Sequence, residues 1–255
     1  MRIAFGRERA RGAIGGRIDR GNATRNRAQA RKTRASAIES ADGTRGGKNL
    51  IIIGARGCGK SSVCRRIAAF DKRFKTFVMD DLISYEEGMS IPAIVKEKGW
   101  RHFRDVEYAV AKKAASAFEG WTLIDAGGGV CVDLDEDGKE VYSERKVAAL
   151  KANGGLVVFL DRDVEYLQSR VAGDENRPSL SATASFAEIM ERRRPWYLRA
   201  ADFVVDGGGA NEGSERPLMK KKRIASSVLK WYYDAVGEQP PAERWFELDV
   251  EQTNE

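Results

Sequence analysis

The sequence is poor in histidine and cysteine and has no long apolar run. His102 is the single histidine, which excludes a catalytic scheme built on several histidines, and we expect it to be an exposed helix residue. The three cysteines, Cys58, Cys64 and Cys131, are an odd number without the spacing of metal ligands. This pattern favours a reducing compartment over a disulfide framework. No apolar stretch approaches the length of a membrane-spanning helix, so we predict none.

Acidic and large apolar residues are scarce in residues 1–47, where arginine alternates with small residues. This segment holds 12 arginine and lysine residues against 4 acids, so it carries +8 and leaves −2 for the remaining chain. Such a segment cannot bury a core, and we expect a disordered basic arm. Its composition is typical of an organelle transit peptide, with an RNA-binding arm or an over-extended start site as alternatives. Because the excess charge belongs to this arm, overall charge supports nucleic-acid binding only weakly.

Residues 49–70 predict phosphate binding. A short β-branched run, Asn49–Ile53, indicates a buried strand, and Ser62–Phe70 has the pattern of an amphipathic helix. Between them, Gly54–Ser61 matches G-x-x-x-x-G-K-[ST] at every fixed position. Glycines allow backbone N–H groups to surround phosphate oxygens, and a helix N-terminus adds its positive dipole end. We therefore predict that the phosphates of a nucleotide bind to Gly57, Cys58, Gly59, Lys60, Ser61 and Ser62, with the Ser61 hydroxyl on Mg²⁺.

Strands and helices alternate along the rest of the chain. Apolar runs predict strands at 74–79, 121–125, 155–160 and 203–205, and helical patterns predict a helix start near 90 and helices over 100–118, 144–152, 164–171, 185–201 and 217–236. With crossovers long enough for helices, this order predicts an α/β fold: a five-stranded parallel sheet with helices on both faces. Residues 133–140 are predicted to be a solvated acidic turn, and 237–255 a tail without assigned function.

Acidic and glycine-rich positions follow two of the predicted strands. Asp80 and Asp81 follow the second strand and Asp125 ends the third, and α/β sheets bind ligands beyond the carboxyl ends of their strands. These carboxylates are candidate ligands for Mg²⁺ or for a substrate hydroxyl. Asp125 precedes three glycines, 127–129, which place bare backbone where a ligand could approach closely.

The order of motifs between residues 48 and 206 resembles the shikimate kinase family. The matching segments are the phosphate loop, Asp80, Gly88–Ile91, Phe103–Glu107, Gly127–Gly129, Arg177–Pro178 and Arg193–Tyr197. The resemblance implies a nucleoside-monophosphate-kinase-type domain over 48–236. It also implies ATP-dependent phosphorylation of the 3-hydroxyl of shikimate, a step of aromatic amino acid biosynthesis.

The resemblance implies how shikimate would be bound. Asp80 would bind the reacting hydroxyl and accept its proton, while Arg104 and Arg193 would clamp the substrate carboxylate. The glycines 127–129 would line the site, with Gly128 contacting a ring hydroxyl through its backbone. Without the resemblance, the spacing of Arg104 and Glu107 is typical of a surface ion pair that contributes little to stability.

The resemblance also implies how ATP would be bound and activated. Lys60 and Arg177 would stabilise the transferring phosphoryl group, and Arg177 would reach it from a lid at about 172–182. Arg170 would stack on adenine. Shikimate and ATP are the expected partners, without membrane or nucleic acid, and we expect a monomer.

One position departs from the family pattern. The first acid of the family's aspartate pair, which helps to hold Mg²⁺ through water, falls at Val78. Asp125 could substitute, and so could Asp81 if the turn is shifted, so we assign Mg²⁺ to Ser61 and Asp125. Without a substitute, the chain would be a kinase-like binding or regulatory protein with weak or no turnover. A third hypothesis is another small-molecule kinase of this fold, such as a gluconate kinase.

The arm and the family together predict a location. Aromatic biosynthesis in photosynthetic eukaryotes resides in plastids, so a transit peptide at 1–47 predicts a plastid enzyme. A cytoplasmic enzyme is the alternative if the arm does not act as a transit peptide.

Overall fold

The structure, a computed structural model, describes residues 47–118, 120–172, 184–208 and 217–241. The arm up to residue 46, residues 173–182 of the predicted lid with Arg177, and the tail beyond 241 lie outside the described residues. What the sequence predicts for them stays a prediction. None of the helices in the described ranges combines the length and apolarity needed to cross a membrane.

Seven strands are described, five of which form one parallel sheet. They are β1 (Leu50–Ile53), β2 (Lys75–Val78), β3 (Thr122–Asp125), β4 (Val132–Leu134), β5 (Glu140–Tyr142), β6 (Leu156–Asp161) and β7 (Phe203–Asp206). The parallel sheet has the order β2-β3-β1-β6-β7, and β4 pairs with β5 in a separate antiparallel hairpin. The order places β1, which leads into the phosphate loop, at the centre.

Seven α-helices connect or cover these strands. They are α1 (Lys60–Phe70), α2 (Met79–Glu87), α3 (Ile91–Ala115), α4 (Glu144–Lys151), α5 (Val164–Val171), α6 (Phe186–Ala200) and α7 (Pro217–Val236). The helix start predicted near residue 90 is confirmed, because the Ser90 side chain accepts a hydrogen bond from the Ala93 N–H. The predicted helix from residue 100 is the second part of α3, which Gly99 interrupts with a φ of 82°.

Alternating side chains of the central strand supply two apolar layers. Leu50 and Ile52 belong to the layer that contains the buried residues of α1 and α7, whereas Ile51 and Ile53 belong to the layer against α2 and α3. All four are at most 1% exposed. Burial on both faces explains why this strand is apolar throughout. The predicted fold class, a parallel five-stranded sheet covered on both faces, is confirmed.

Two local predictions are wrong. Residues 133–140 are not simply a solvated turn, because their ends pair in the β4–β5 hairpin, with Leu134 opposite Glu140. Strands of three residues are too short for an alternating pattern to reveal them. The second strand was predicted to reach residue 79, but it ends at Val78. Asp80 and Asp81 therefore lie in the first turn of α2, where the helix dipole favours acidic residues.

Candidate active site

The phosphate loop joins β1 to α1 through left-handed glycines. Gly57 and Gly59 have φ angles of 82° and 102°, a region that other residues rarely adopt. Gly59 is the N-cap of α1, and its carbonyl oxygen accepts hydrogen bonds from the Ser62 and Val63 N–H groups, so the N–H groups of Lys60 and Ser61 precede the first hydrogen bond of the helix. The loop therefore has the backbone geometry of an anion site, as predicted from the motif.

A cavity of about 580 Å³, called here the loop cavity, opens over this segment. The predicted ATP- and metal-binding residues that line it are Gly57, Gly59, Lys60, Ser61, Ser62, Asp125 and Arg170. Lys60 Nζ donates to the carbonyl oxygens of Gly54 and Ala55, at 3.0 and 3.1 Å. Cys58 is not part of the lining, because its side chain is buried in the core and its N–H donates to the Ala55 carbonyl.

A second cavity, of about 260 Å³, is called here the arginine cavity. It is lined by every residue predicted to bind the substrate: Asp80, Arg104, Gly127, Gly128, Gly129 and Arg193. Arg104 comes from α3 and Arg193 from α6, so the fold brings together two guanidinium groups that are distant in sequence. The rings of Trp100 and Phe103 also line the cavity and give it an apolar wall.

Arg104 belongs to a buried ion cluster. Its Nη1 lies 2.8 Å from Oε2 of Glu107, and Nζ of Lys146, from α4, lies 2.6 Å from the same oxygen. The exposed fractions of Arg104, Glu107 and Lys146 are 3%, 1% and 0%, so the interpretation of Arg104 and Glu107 as a surface ion pair is wrong. Burial alone would raise the pKa of Glu107, but the charges of Lys146 and Arg104 hold it below its ordinary value. One carboxylate thus faces two cations.

Arg193 is held in a similar way by the hairpin. It is 2% exposed, and its Nε and Nη2 donate to the two carboxylate oxygens of Glu140, with an Nε–Oε2 distance of 3.1 Å. Arg192 donates to the same carboxylate, with Nη2 2.8 Å from Oε2. Burial alone would raise the pKa of Glu140, but the hydrogen bonds and charges of Arg193 and Arg192 lower it.

The three glycines leave room for these charged side chains. A Cβ on Gly127 would lie 2.7 Å from Oδ1 of Asp80, and a Cβ on Gly129 would overlap the Arg104 guanidinium. The Gly128 carbonyl accepts a hydrogen bond from the Tyr197 hydroxyl. Larger residues would therefore displace the groups that line the arginine cavity.

Arg56, Asp80 and Asp81 line both cavities, which therefore adjoin. The sequence predicted Asp80 but missed Arg56, since Arg56 occupies a variable position of the loop motif. Its place directly inside the phosphate loop was the available signal. Glu140 and Lys146 were also missed, because nothing in a single sequence shows which distant polar residues come together, and Tyr197 was named only as the end of a matched motif, without a role.

Val78 and Asp125 lie opposite each other in the register of β2 and β3. Both line the loop cavity with Ser61, and Asp125 is 5% exposed. Although β2 has no carboxylate at position 78, the neighbouring strand β3 has one at the same level of the sheet. Burial, and secondarily the charge of Asp125, raise the pKa of the nearby Cys64 thiol, which therefore stays neutral.

Ser61 and Asp125 both line the loop cavity, and a hydroxyl and a carboxylate are oxygen ligands of the kind that Mg²⁺ takes. Mg²⁺ is usually held by one or two carboxylates, waters and substrate phosphates rather than by a protein cage. In the described part of the chain, no group of three or more His, Cys, Asp or Glu residues could hold a metal ion.

The adjoining cavities define a reaction class. Planar guanidinium groups suit carboxylate recognition, and a carboxylate at the junction can accept the proton of a hydroxyl group. A phosphate loop beside such a pocket suits phosphoryl transfer from a nucleotide to a hydroxylated small acid.

Comparisons with known sequences agree with this geometry. The family model for shikimate kinase matches residues 56–232. A shikimate kinase of Leptospira biflexa is 37% identical over 184 residues, which cover 72% of this chain and 94% of that protein. A pentafunctional AROM polypeptide of Candida tropicalis is 35% identical over 177 residues, which cover 69% of this chain and 11% of that polypeptide.

Solved structures share the fold. The structure of shikimate kinase from Acinetobacter baumannii in complex with shikimate has a TM-score of 0.58 at 24% identity, covering 72% of this chain and 92% of that one. Shikimate kinase from Aquifex aeolicus has a TM-score of 0.52 at 25% identity, covering 71% and 94%. By the match of the family model and the identity to the Leptospira protein, this chain belongs to the shikimate kinase family.

Proposed function

We infer that this chain phosphorylates shikimate at its 3-hydroxyl with ATP, as a step of aromatic amino acid biosynthesis. One observation carries the inference: Asp80, Arg104 and Arg193 line one small cavity that adjoins the phosphate loop. Shikimate is a cyclic carboxylate with three hydroxyl groups, so its two kinds of polar group match the two kinds of side chain in the cavity.

The residues of the arginine cavity orient the acceptor. Arg104 and Arg193 bind the carboxylate, which fixes the ring relative to the loop cavity. Asp80, in the wall shared by both cavities, accepts a hydrogen bond from the reacting hydroxyl and takes its proton as the phosphoryl group is transferred. The Gly128 backbone contacts a ring hydroxyl.

The residues of the loop cavity hold and neutralise the phosphates. Bound ATP supplies the phosphoryl group. Backbone N–H groups of Gly57, Gly59, Lys60 and Ser61 surround phosphate oxygens, and the Lys60 ammonium stabilises the negative charge of the transition state. Arg170 lies in the cavity lining, where it stacks on the adenine in this proposal. Arg177, outside the described residues, closes over the phosphates.

Ser61 and Asp125 hold Mg²⁺ in this proposal. The strand register supports Asp125 as the replacement for the acid absent at Val78, since these two residues are neighbours across β2 and β3. The Ser61 hydroxyl and the Asp125 carboxylate would hold the ion, directly or through water, and the ion would neutralise phosphate charge.

A coupled assay of ADP release with and without shikimate tests the function. We expect release that depends on shikimate and saturates with it. Release that is unaffected by millimolar shikimate would refute the proposal. Replacing Arg104 or Arg193 by alanine distinguishes the proposed function from that of a related kinase with a neutral substrate. Such a kinase would keep its KM for the substrate in both variants.

Val78 supports one second candidate, a substrate-binding protein with weak or no turnover. The variant Val78→Asp restores an acid on β2 and distinguishes the two. A large gain in turnover would favour the second candidate, whereas an unchanged rate would favour compensation by Asp125.

A further inference from the structure

Glu140 leaves Arg193 with donors for a ligand. A guanidinium group has five N–H donors in a fixed plane, and Glu140 accepts two of them, one from Nε and one from Nη2. The remaining donors belong to a side chain that lines the arginine cavity. A bond on the Nε side fixes the plane of the group without covering its Nη1 end.

A single carboxylate beside Arg193 would also neutralise the positive charge that attracts the carboxylate of the substrate. Arg192 offsets this effect, because its Nη2 lies 2.8 Å from Oε2 of the same Glu140. The cluster therefore carries one net positive charge. Arg104, Glu107 and Lys146 have the same composition of two cations and one carboxylate. Both substrate-facing arginines are thus fixed by an acid and accompanied by a second cation.

The hairpin that carries Glu140 is tied to the rest of the cavity. The Val132 N–H of β4 donates to the Gly129 carbonyl at 2.8 Å, and the Val132 carbonyl accepts from Nζ of Lys146. Glu140 lies opposite Leu134 in the hairpin register. The hairpin thus connects the glycine segment, the Arg104 cluster and the Arg193 cluster.

We propose that Glu140 and Arg192 are positioning residues for the substrate carboxylate: Glu140 orients the Arg193 guanidinium, and Arg192 preserves its net charge for the ligand. This inference rests on the proposed function and deepens it. It gives the β4–β5 hairpin a part in substrate recognition, although neither Glu140 nor Arg192 is among the described residues that line the arginine cavity.

The variant Glu140→Gln tests the orienting role in the full-length chain. Glutamine has the same shape but places an NH2 group against one of the two Arg193 donors, so the guanidinium loses its fixed orientation. We expect the Kd for shikimate to rise about tenfold despite the loss of a negative charge, with the Kd for ATP nearly unchanged and the melting temperature lowered. Glu144→Gln is the matched control, since Glu144 lies nearby, is 70% exposed and pairs with Arg199. A shikimate Kd of Glu140→Gln within twofold of wild type, or a parallel rise in the ATP Kd, would overturn the proposal.

The variant Arg192→Gln tests the charge role at an exposed position. We expect a rise of about threefold in the shikimate Kd that shrinks at high salt, because the effect is electrostatic. Arg194→Gln removes an equal charge from the next position, where Arg194 pairs with Asp161 and not with Glu140, and should leave the Kd unchanged. Equal Kd values for both variants would refute the charge role. Calorimetric titration measures binding without turnover, so failure of wild type to bind shikimate would overturn the proposed function as well.

Discussion

The shape of the arginine cavity depends on the absence of side chains at its glycines. Gly127 and Gly129 border the carboxylate of Asp80 and the guanidinium of Arg104 so closely that one added carbon would displace them. A close approach of backbone to functional groups is a common reason for glycine in a site. The triple glycine is therefore a steric requirement of the cavity.

Replacing Gly129 by alanine should weaken shikimate binding by about tenfold or more, because the Arg104 guanidinium would have to leave its position. Steady-state kinetics should show a raised KM for shikimate and an almost constant KM for ATP. Gly138→Ala is the control, since a Cβ there meets nothing within 4 Å although φ is +79°. That variant should lose stability while retaining its KM. An unchanged shikimate KM in Gly129→Ala would contradict the steric argument.

Asp125 should determine the Mg²⁺ concentration that the reaction requires. In Asp125→Asn, the Mg²⁺ concentration that gives half the maximal rate should rise by about tenfold, because an amide is a weaker ligand than a carboxylate. Titrating Mg²⁺ at saturating ATP and shikimate measures this value. Asp81→Asn serves as the comparison, since Asp81 also lines the loop cavity. A larger effect in Asp81→Asn than in Asp125→Asn would assign the metal role to Asp81.

At the scale of elements, a buried carboxylate joins the end of α1 to α7. Asp71, the C-cap of α1, is 1% exposed and accepts hydrogen bonds from Nη2 of Arg73 at 2.7 Å and from the Tyr233 hydroxyl at 2.8 Å. Arg73 lies 3.9 Å from the ring centroid of Trp121 and donates to the Gln239 carbonyl. The contact fixes α7 on the face of the sheet opposite α3.

Asp71 should make stability depend on pH in the acid range. Burial alone would raise the pKa of this carboxyl group, but hydrogen bonds from Arg73 and Tyr233 lower it overall. A lowered folded pKa stabilises the protein fully above about pH 4, and this stabilisation is lost as the pH falls through the folded value. Urea unfolding should show Asp71→Asn less stable by about 1–3 kcal/mol at pH 7, with the difference disappearing in strong acid. A difference that is independent of pH would contradict this assignment.

The sequence predicts the long elements well and the short or distant contacts poorly. The α7 boundaries and the five parallel strands follow from periodicity and apolar runs. The β4–β5 hairpin does not, because three-residue strands carry too little pattern. The partners of Glu107 and Arg193 were missed for a different reason: Lys146 lies 39 positions from Glu107, and Glu140 lies 53 positions from Arg193. Such pairs are determined by packing, which local sequence does not encode.

At the scale of the whole molecule, we propose that residues 1–47 direct the chain to a plastid. The prediction is that a fusion of this segment to a fluorescent protein accumulates in plastids of plant cells. A fusion with its arginines changed to glutamine is the control and should remain in the cytosol. A diffuse cytosolic signal from the unmodified arm would contradict the targeting role.

The shared wall formed by Arg56, Asp80 and Asp81 has a consequence for inhibitor chemistry. A single compound that links a cyclic acid to a polyphosphate could occupy the arginine cavity and the loop cavity together. Its second half would bind at the high effective concentration set by a short linker. Such a bisubstrate compound would gain affinity without requiring any new contact from the protein.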